Sequence, residues 1–308
     1  MQPHLEFLIA QSDHNARLDA AMARISGQSR QAVQRAIADG AVYVDGSRQS
    51  VVAFRVRAGQ TVRWMPAAPD RGHIGQGLVD IVFQDESLCI VDKPAGLPSQ
   101  QPPRGGDAME QRLALWLRDQ PGQPTPGQVH RLDRDVSGLL MYGLGAEATS
   151  NLAEQLKNHT ARRRYLALVR TAVPPVAQTI SEPIAQQSPG VMRLCATGMP
   201  AQTRVLPLAF DARAQLALLL IELDTGRTHQ IRLHCAWAIG ALVGDVQYGD
   251  RKQEPQLPRV GLHAAALRLR HPFTGQDLEV QRLPGRDFWQ LAGDANLPLP
   301  DNWLQVQV

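Results

Sequence analysis

Apolar residues between positions 12 and 65 fall first at helical spacing and then in alternation. Leu18, Met22 and Ile25 recur at i, i+4 and i+7, the stripe of a short amphipathic helix. Ser29 is placed to cap a second helix, on which Val33, Ala36 and Ile37 share a face and which Gly40 stops. AVYVDGSRQS then predicts a strand closing on an Asp-Gly turn, and FRVRAGQTVRW a second strand pair around Gly59. PAAPDRGHIGQG, residues 66–77, is rich in Pro and Gly and has no apolar period. It reads as a linker between a small unit, residues 1–65, and a larger one, residues 78–308.

In the larger unit, LVDIVFQDESLCIVDKPAG alternates as two strands around a turn at Asp85-Glu86. Met109, Leu113 and Trp116 mark a helix, and LLMYGL and RRRYLALVR read as strands with a helix, 147–160, between them. RAQLALLLIEL is a strongly apolar strand, and Ile231, Cys235, Ala238 and Ile239 lie at helical spacing. Strands joined both directly and through helices favour an α+β fold, with a mixed, largely antiparallel sheet flanked by helices.

Bulk properties narrow the class. The chain has no apolar run of 18 residues, so nothing in the sequence predicts a membrane span. MQPHLEFLIA lacks the basic start of a secretory signal. Cys89, Cys195 and Cys235 are isolated and odd in number, which fits a reducing cytoplasm. Net charge is only +3, yet of 32 basic residues just three are lysines, Lys93, Lys157 and Lys252. That bias has two readings: genome composition, or guanidinium forks suited to phosphate. Eight arginines, among them Arg30 and Arg35, fall in residues 12–65, as a solvated basic face or as contacts to a polyanion. There is no P-loop, Rossmann glycine pattern or GxSxG elbow, so no nucleotide cofactor is indicated.

Two polar patches carry candidate chemistry. In VHRLDRDVSGLL, Asp133 stands between Arg131 and Arg134, just ahead of an apolar run. It is either a loop carboxylate that pins arginines or one kept ionised as a nucleophile or base. In LDTGRTHQIRLH, Arg227 precedes a helix start, where free N–H groups favour anions, Thr228 can cap the helix, and Arg232 can face a cleft while Ile231 and Cys235 face the core. An amphipathic helix with a solvated polar side explains the same pattern. Tyr165 follows Arg162, Arg163 and Arg164, as a core aromatic or as a ring that stacks on a base. His130, His229 and His234 do not make a metal site, because a five-residue step turns His229 and His234 about 140° apart on a helix. Lys93-Pro94-Ala95-Gly96 reads as a turn and VGDVQYG as a glycine-bounded structural loop.

In residues 78–290 the order DESLCIVDKPAGLPSQ, HRLDRDVSGLLMYG, RRRYLALV, ELDTGRTHQIRLHCAWAIGALVGDVQYG and GLHAAALRLRHPFTG resembles the pseudouridine synthases of the RluA family. RLDAAM, AIADGAVYVDG and VRAGQTV similarly resemble the alpha-L RNA-binding fold first seen in a small-subunit ribosomal protein. The resemblance implies an enzyme that isomerises uridine in RNA without cofactor or metal, with ribosomal RNA of the large subunit as the expected partner. A transfer RNA substrate, or a catalytically silent RNA-binding assembly factor, is the alternative. The resemblance also places Asp133 at the catalytic aspartate, Arg232 as its basic partner, and Tyr165 as the ring that stacks on the base. It places Arg131 to fill the gap left by a flipped nucleotide. Arg163, Arg227, Arg30 and Arg35 are the further expected RNA contacts. A monomer located in the cytoplasm is expected. The sequence departs from the family pattern at Val136, where threonine is usual, at Arg163, where lysine is common, and at Met199, where lysine often follows the glycine.

Overall fold

A computed structural model describes residues 5–38, 42–45, 47–49, 54–64, 79–102, 106–118, 125–188, 190–249, 259–306 and 308. The expected linker, 66–77, lies outside the described residues, as do the helix stop Gly40 and Gly46 of the Asp-Gly turn. The chain divides into two compact units.

The first unit contains β1 (Leu5–Leu8), α1 (Leu18–Ser26), α2 (Arg30–Ala38), β2 (Val42–Val44), β3 (Ser47–Arg48) and β4 (Thr61–Trp64). The strands form an antiparallel sheet in the order β1-β4-β2-β3. Leu18 and Met22 on α1 and Val33 and Ile37 on α2 bury against Val42, Val44 and Val62, as their spacing predicts. Gly27 ends α1 at φ 69°, and the Ser29 hydroxyl accepts the Ala32 N–H at 3.2 Å to cap α2. The predicted strand pair around Gly59 is only half present. Residues 54–56 send their backbone bonds to the segment before α1, with Leu18 N–H on Phe54 O and Asn15 N–H on Val56 O. Beyond a single bridge between Arg55 and Arg17 they join no strand among the described residues, and β1, which periodicity misses, pairs with β4 instead.

The second unit contains β5 (Asp80–Gln84), β6 (Leu88–Lys93), α3 (Met109–Arg118), β7 (Pro126–Gln128), β8 (Ser137–Leu144), α4 (Ala146–Lys157) and β9 (Arg162–Arg170). It continues through β10 (Gln178–Ile180), β11 (Ile184–Ser188), β12 (Val191–Leu194), β13 (Thr203–Asp211), β14 (Leu216–Leu223), α5 (Gln230–Ala238), β15 (Leu262–Arg270), β16 (Asp277–Gln281) and α6 (Arg286–Trp289). A ten-stranded sheet runs β10-β13-β14-β9-β15-β8-β6-β5, with β16 paired to β15 and β7 to β8. Among the described strands only β15 and β8 pair in parallel. The fold is thus α+β with a mixed, largely antiparallel sheet.

Every residue of β8 and β14 is buried, because both faces of these central strands are covered. On β8 the alternation sorts the two cores. Leu140, Tyr142 and Leu144 pack on the side of α3 and α5, and Leu139 and Met141 on the side of α4. Gly138 opens this strand at φ 112°, and a Cβ there would stand 2.3 Å from the Ala264 carbonyl oxygen. Only glycine allows β8 to approach β15 so closely at the point where the chain enters from Asp133. Residues 178–211 hold four strands that the sequence pattern does not predict, two of them the separate hairpin β11–β12.

Candidate active site

Asp133 lies on the loop between β7 and β8, in a cleft of about 770 Å³. Gln128, His130, Arg131, Arg163, Tyr165, Arg227, Thr228, His229 and Arg232 share its walls. The loop is held by its backbone. The Ser99 hydroxyl donates to Leu132 O at 2.7 Å and accepts Leu132 N–H at 2.9 Å. On the other side of Asp133, the fully buried Lys93 donates to Arg134 O at 3.1 Å, and to Pro94 O and Leu97 O at 2.9 and 2.7 Å. Burial pushes the Lys93 ammonium down to about 7, against the pull of Asp135 and Asp133. Lys93 is therefore a clamp on the Asp133 loop, more than the simple turn its sequence predicts.

The Asp133 side chain is 23% exposed, and its Oδ2 accepts from Arg232 Nη1 at 3.1 Å. Arg232 projects from the first turn of α5, as its third residue. A second carboxylate fixes it: Nε and Nη2 donate to Asp245 at 2.7 and 2.9 Å, and Nη2 reaches Gln247 Oε1 at 3.1 Å. Asp245 is buried and also accepts the backbone N–H groups of Gln247 and Tyr248. The Tyr248 ring lies under the guanidinium, 4.9 Å from centre to Cζ. A planar, doubly bonded guanidinium cannot follow Asp133 if the loop moves, so the pair is pre-set. Among the described residues nothing donates to Asp133 Oδ1, which leaves that oxygen open to the cleft.

Tyr165 and Arg163 sit two apart on β9 and so project from one face of the strand. Both are largely buried. Burial raises the Tyr165 phenol above its ordinary value, with Arg163 opposing and Asp133 adding to the rise, so the ring stays neutral. Arg163 lines the cleft with a buried Nε that has no protein partner. Arg131 is exposed and bonds the Thr228 hydroxyl rather than Asp133. That occupies Thr228, which does not cap α5. Arg227 also lines the cleft and donates to Pro200 O at 2.9 Å. Arg134, read beside Asp133, pairs instead with Asp135 at 3.1 Å. In the first unit, Arg30 is half exposed and bonds Asp19 at 2.9 Å. Arg35 lies on α2, and its side chain is outside the described set.

The three histidines considered for a metal are committed elsewhere. His130 Nε2 accepts Met141 N–H at 3.1 Å, and burial pushes its imidazole down to about 3. His234 bonds Thr203 and Glu182 O, both at 2.8 Å. His229 Nδ1 bonds the Tyr248 hydroxyl at 2.6 Å. Periodicity gives no sign of Asp245, Gln247 and Tyr248. The one available signal is the density of polar residues between the glycines of VGDVQYG, so soon after Arg232.

The fold and the cleft can be set beside known proteins. The sequence model of the RNA pseudouridylate synthase family matches residues 87–237, and that of the S4 domain matches residues 16–62. The ribosomal large subunit pseudouridine synthase D of Nitrosomonas europaea is 35% identical over 295 residues, covering 89% of this chain and 83% of that one. The ribosomal large subunit pseudouridine synthase C of Pasteurella multocida is 30% identical over 294 residues, covering 88% of each chain. Among solved structures, human RNA pseudouridylate synthase domain containing 1 superposes with a TM-score of 0.55 at 25% identity, covering 74% of this chain and 100% of that one. The chain belongs to the RluA family of pseudouridine synthases, and residues 16–62 are its S4 domain. Among the described residues no helix is long and apolar enough to cross a membrane.

Proposed function

We propose that the chain converts uridine to pseudouridine in large-subunit ribosomal RNA, with Asp133 as the catalytic carboxylate. The observation that carries this reading is the Asp133–Arg232 pair, fixed by Asp245 on one side and open at Oδ1 on the other. Relatives named ribosomal large subunit pseudouridine synthases support the choice of RNA. In this reading residues 1–65 grip RNA, with Arg30 and Arg35 among their contacts, and residues 78–308 carry out the reaction as a cytoplasmic monomer without cofactor.

The target base leaves its stack and lies on the neutral Tyr165 ring, and Arg131 fills the gap it leaves. Arg163 and Arg227 hold phosphate or base edges along the cleft. Unstacking costs a few kcal/mol, roughly, and such contacts offset part of it. Oδ1 of Asp133 then attacks C1′, and the C1′–N1 bond breaks with its electron pair leaving on uracil. The base rotates, C5 bonds to C1′, and the ester bond returns its pair to Asp133. C5 loses its proton and N1 gains one. Along the alternative route Asp133 takes a proton from C2′ as C1′–N1 breaks, leaving a glycal, and returns it when C5 adds to C1′. Arg232 stabilises the carboxylate along both.

Because C5 loses its hydrogen, RNA carrying 5-tritiated uridine releases tritium as it reacts. The wild-type chain is expected to release it from a large-subunit ribosomal RNA transcript and not from transfer RNA. Asp133→Asn is expected to release it about 10²- to 10⁴-fold more slowly. Full release by Asp133→Asn overturns the catalytic assignment, and release only from transfer RNA overturns the substrate.

A further inference from the structure

His229 occupies a costly conformation for which capping gives no reason. It is the N-cap of α5 yet stands in the left-handed region, at φ 57° and ψ 20°, and its side chain makes no capping bond. A non-glycine residue held there marks a constraint imposed by something else. Its ring supplies that constraint. Nδ1 is 2.6 Å from the Tyr248 hydroxyl, the two rings meet edge to face with centroids 5.5 Å apart, and Nε2 is 3.8 Å from Asp133 Oδ2.

The direction of the protons follows from the hairpin β11–β12. The Met192 backbone N–H donates to the Tyr248 oxygen at 3.1 Å. The phenol's own proton is then directed to its other close partner, His229 Nδ1. Burial lowers the imidazole's pKa, with Arg232 and Arg131 adding to that and Asp133 and Asp245 opposing it, so the ring is neutral at pH 7. A neutral imidazole that accepts at Nδ1 carries its hydrogen on Nε2, the atom that faces Asp133. Gln247 ties the same hairpin to the other partner of Asp133, donating to Gly190 O at 2.9 Å and accepting from Arg232 Nη2 at 3.1 Å.

We propose that His229, seated by Tyr248, is a positioning residue that donates its Nε2–H to Asp133 Oδ2 when RNA closes the cleft. The inference rests on the catalytic reading of Asp133. Arg232 and His229 then hold one carboxylate oxygen between them, and the other is presented to the sugar. The 3.8 Å gap is longer than a hydrogen bond, as catalytic contacts often are before substrate arrives. Hairpin and carboxylate are thereby joined through two side chains, Tyr248 and Gln247.

The test compares single-turnover tritium release by full-length His229→Ala, His229→Gln and Tyr248→Phe between pH 4.5 and 8. His229→Ala is expected to slow the reaction by about 10- to 100-fold, the worth of one hydrogen bond to a charged group, with RNA affinity unchanged. His229→Gln, whose amide can accept from Tyr248 and donate to Asp133, recovers most of the rate. Tyr248→Phe keeps the ring under Arg232 but leaves His229 free to turn, and it slows the reaction by less. A wild-type rate in His229→Ala overturns the proposal. So does a His229→Gln as slow as His229→Ala. If the alanine variant does not fold, an unchanged rate in Tyr248→Phe overturns it. Asp133→Asn run alongside separates the failures: an active Asp133→Asn sinks the catalytic reading, whereas an inactive one beside a fast His229→Ala sinks only the role of His229.

Discussion

Arg-Leu-Asp occurs twice in the chain, at residues 17–19 and at residues 131–133, and the two aspartates end in opposite circumstances. Asp19 falls in the first turn of α1, where its side chain is fully buried. Both its oxygens are taken, by Arg17 at 3.0 Å, Arg30 at 2.9 Å and Gln34 at 2.6 Å. Burial would raise its pKa, but those three donors hold it far below the usual carboxylate range. Asp133 lies on a loop, keeps 23% of its side-chain surface, and engages one oxygen. Its sequence neighbour Arg131 turns away to Thr228. What separates the two is how the backbone is held. Around Asp133 the loop is fixed by Ser99 and Lys93, so the carboxylate has no structural task. In the first unit the carboxylate itself ties α1 to α2. A carboxylate is free for chemistry where other groups have taken over its fastening.

Exchanging the charge at each site breaks the comparison most directly. Asp133→Asn is expected to lower turnover by about 10²- to 10⁴-fold, the range for a lost catalytic acid–base group, with its melting temperature near that of the wild type. Asp19→Asn is expected to do the reverse: turnover of bound RNA persists, while the first unit loses about 2 kcal/mol because Arg17 and Arg30, both partly exposed, lose the buried charged acceptor that joins them. Denaturant-dependent hydrogen exchange at the buried Val33 and Val62 reads this unit. Because the Asp19 pKa is lowered by folding, its contribution is present above the unfolded value of about 4 and fades as pH falls below it. An Asp19→Asn chain that loses activity as fully as Asp133→Asn would erase the distinction.

The fastening at Asp133 can be loosened without touching the carboxylate. Ser99→Ala leaves both Leu132 N–H and O without their partner in a buried place. The cost is about 1–3 kcal/mol of stability, and the loop's loss of register lowers turnover with it. Calorimetry and tritium release on one preparation would show whether the two fall together. Intact turnover in a destabilised Ser99→Ala chain would mean that the loop is fixed by other means.

These contrasts were only partly legible in the residues. Periodicity reaches α1, α2, α3 and the fully buried β8 and β14, because each buries a stripe or a face that repeats along the chain. It does not reach β1 or β11–β12. IAQQS and VMRL carry too few apolar positions to alternate: Ile184, Met192 and Leu194 pack with Leu233 in a small cluster, and Tyr248 and Gln247 add polar ties. The two Arg-Leu-Asp tripeptides are identical, and what differs is supplied from elsewhere: Arg30 and Gln34, 11 and 15 residues beyond Asp19, and Arg232, 99 residues beyond Asp133. Asp133 meets Arg232 only because α5 folds across the sheet. Asp245 escapes notice because a buried ion pair leaves no period. Lys93 looks like part of a turn because its partners are backbone carbonyls, which every residue carries.

Lys93 offers the finest test of the backbone clamp. Its folded pKa, near 7, lies below the unfolded value of about 10.4, so the unfolded chain binds more protons between those limits. Stability therefore rises with pH from about 7 upward, by about 1 kcal/mol for each unit while the folded amine is neutral. Lys93→Met carries no such proton and should lose this slope between pH 7 and 9 in denaturant unfolding. The neutral amine keeps two N–H groups for three carbonyls, so Pro94, Leu97 and Arg134 can no longer all be served at once. Wild-type turnover should then weaken above pH 8 even as the fold gains stability, and Lys93→Met should show neither trend. Identical slopes in both chains would place the charge of Lys93 outside the fastening of the Asp133 loop.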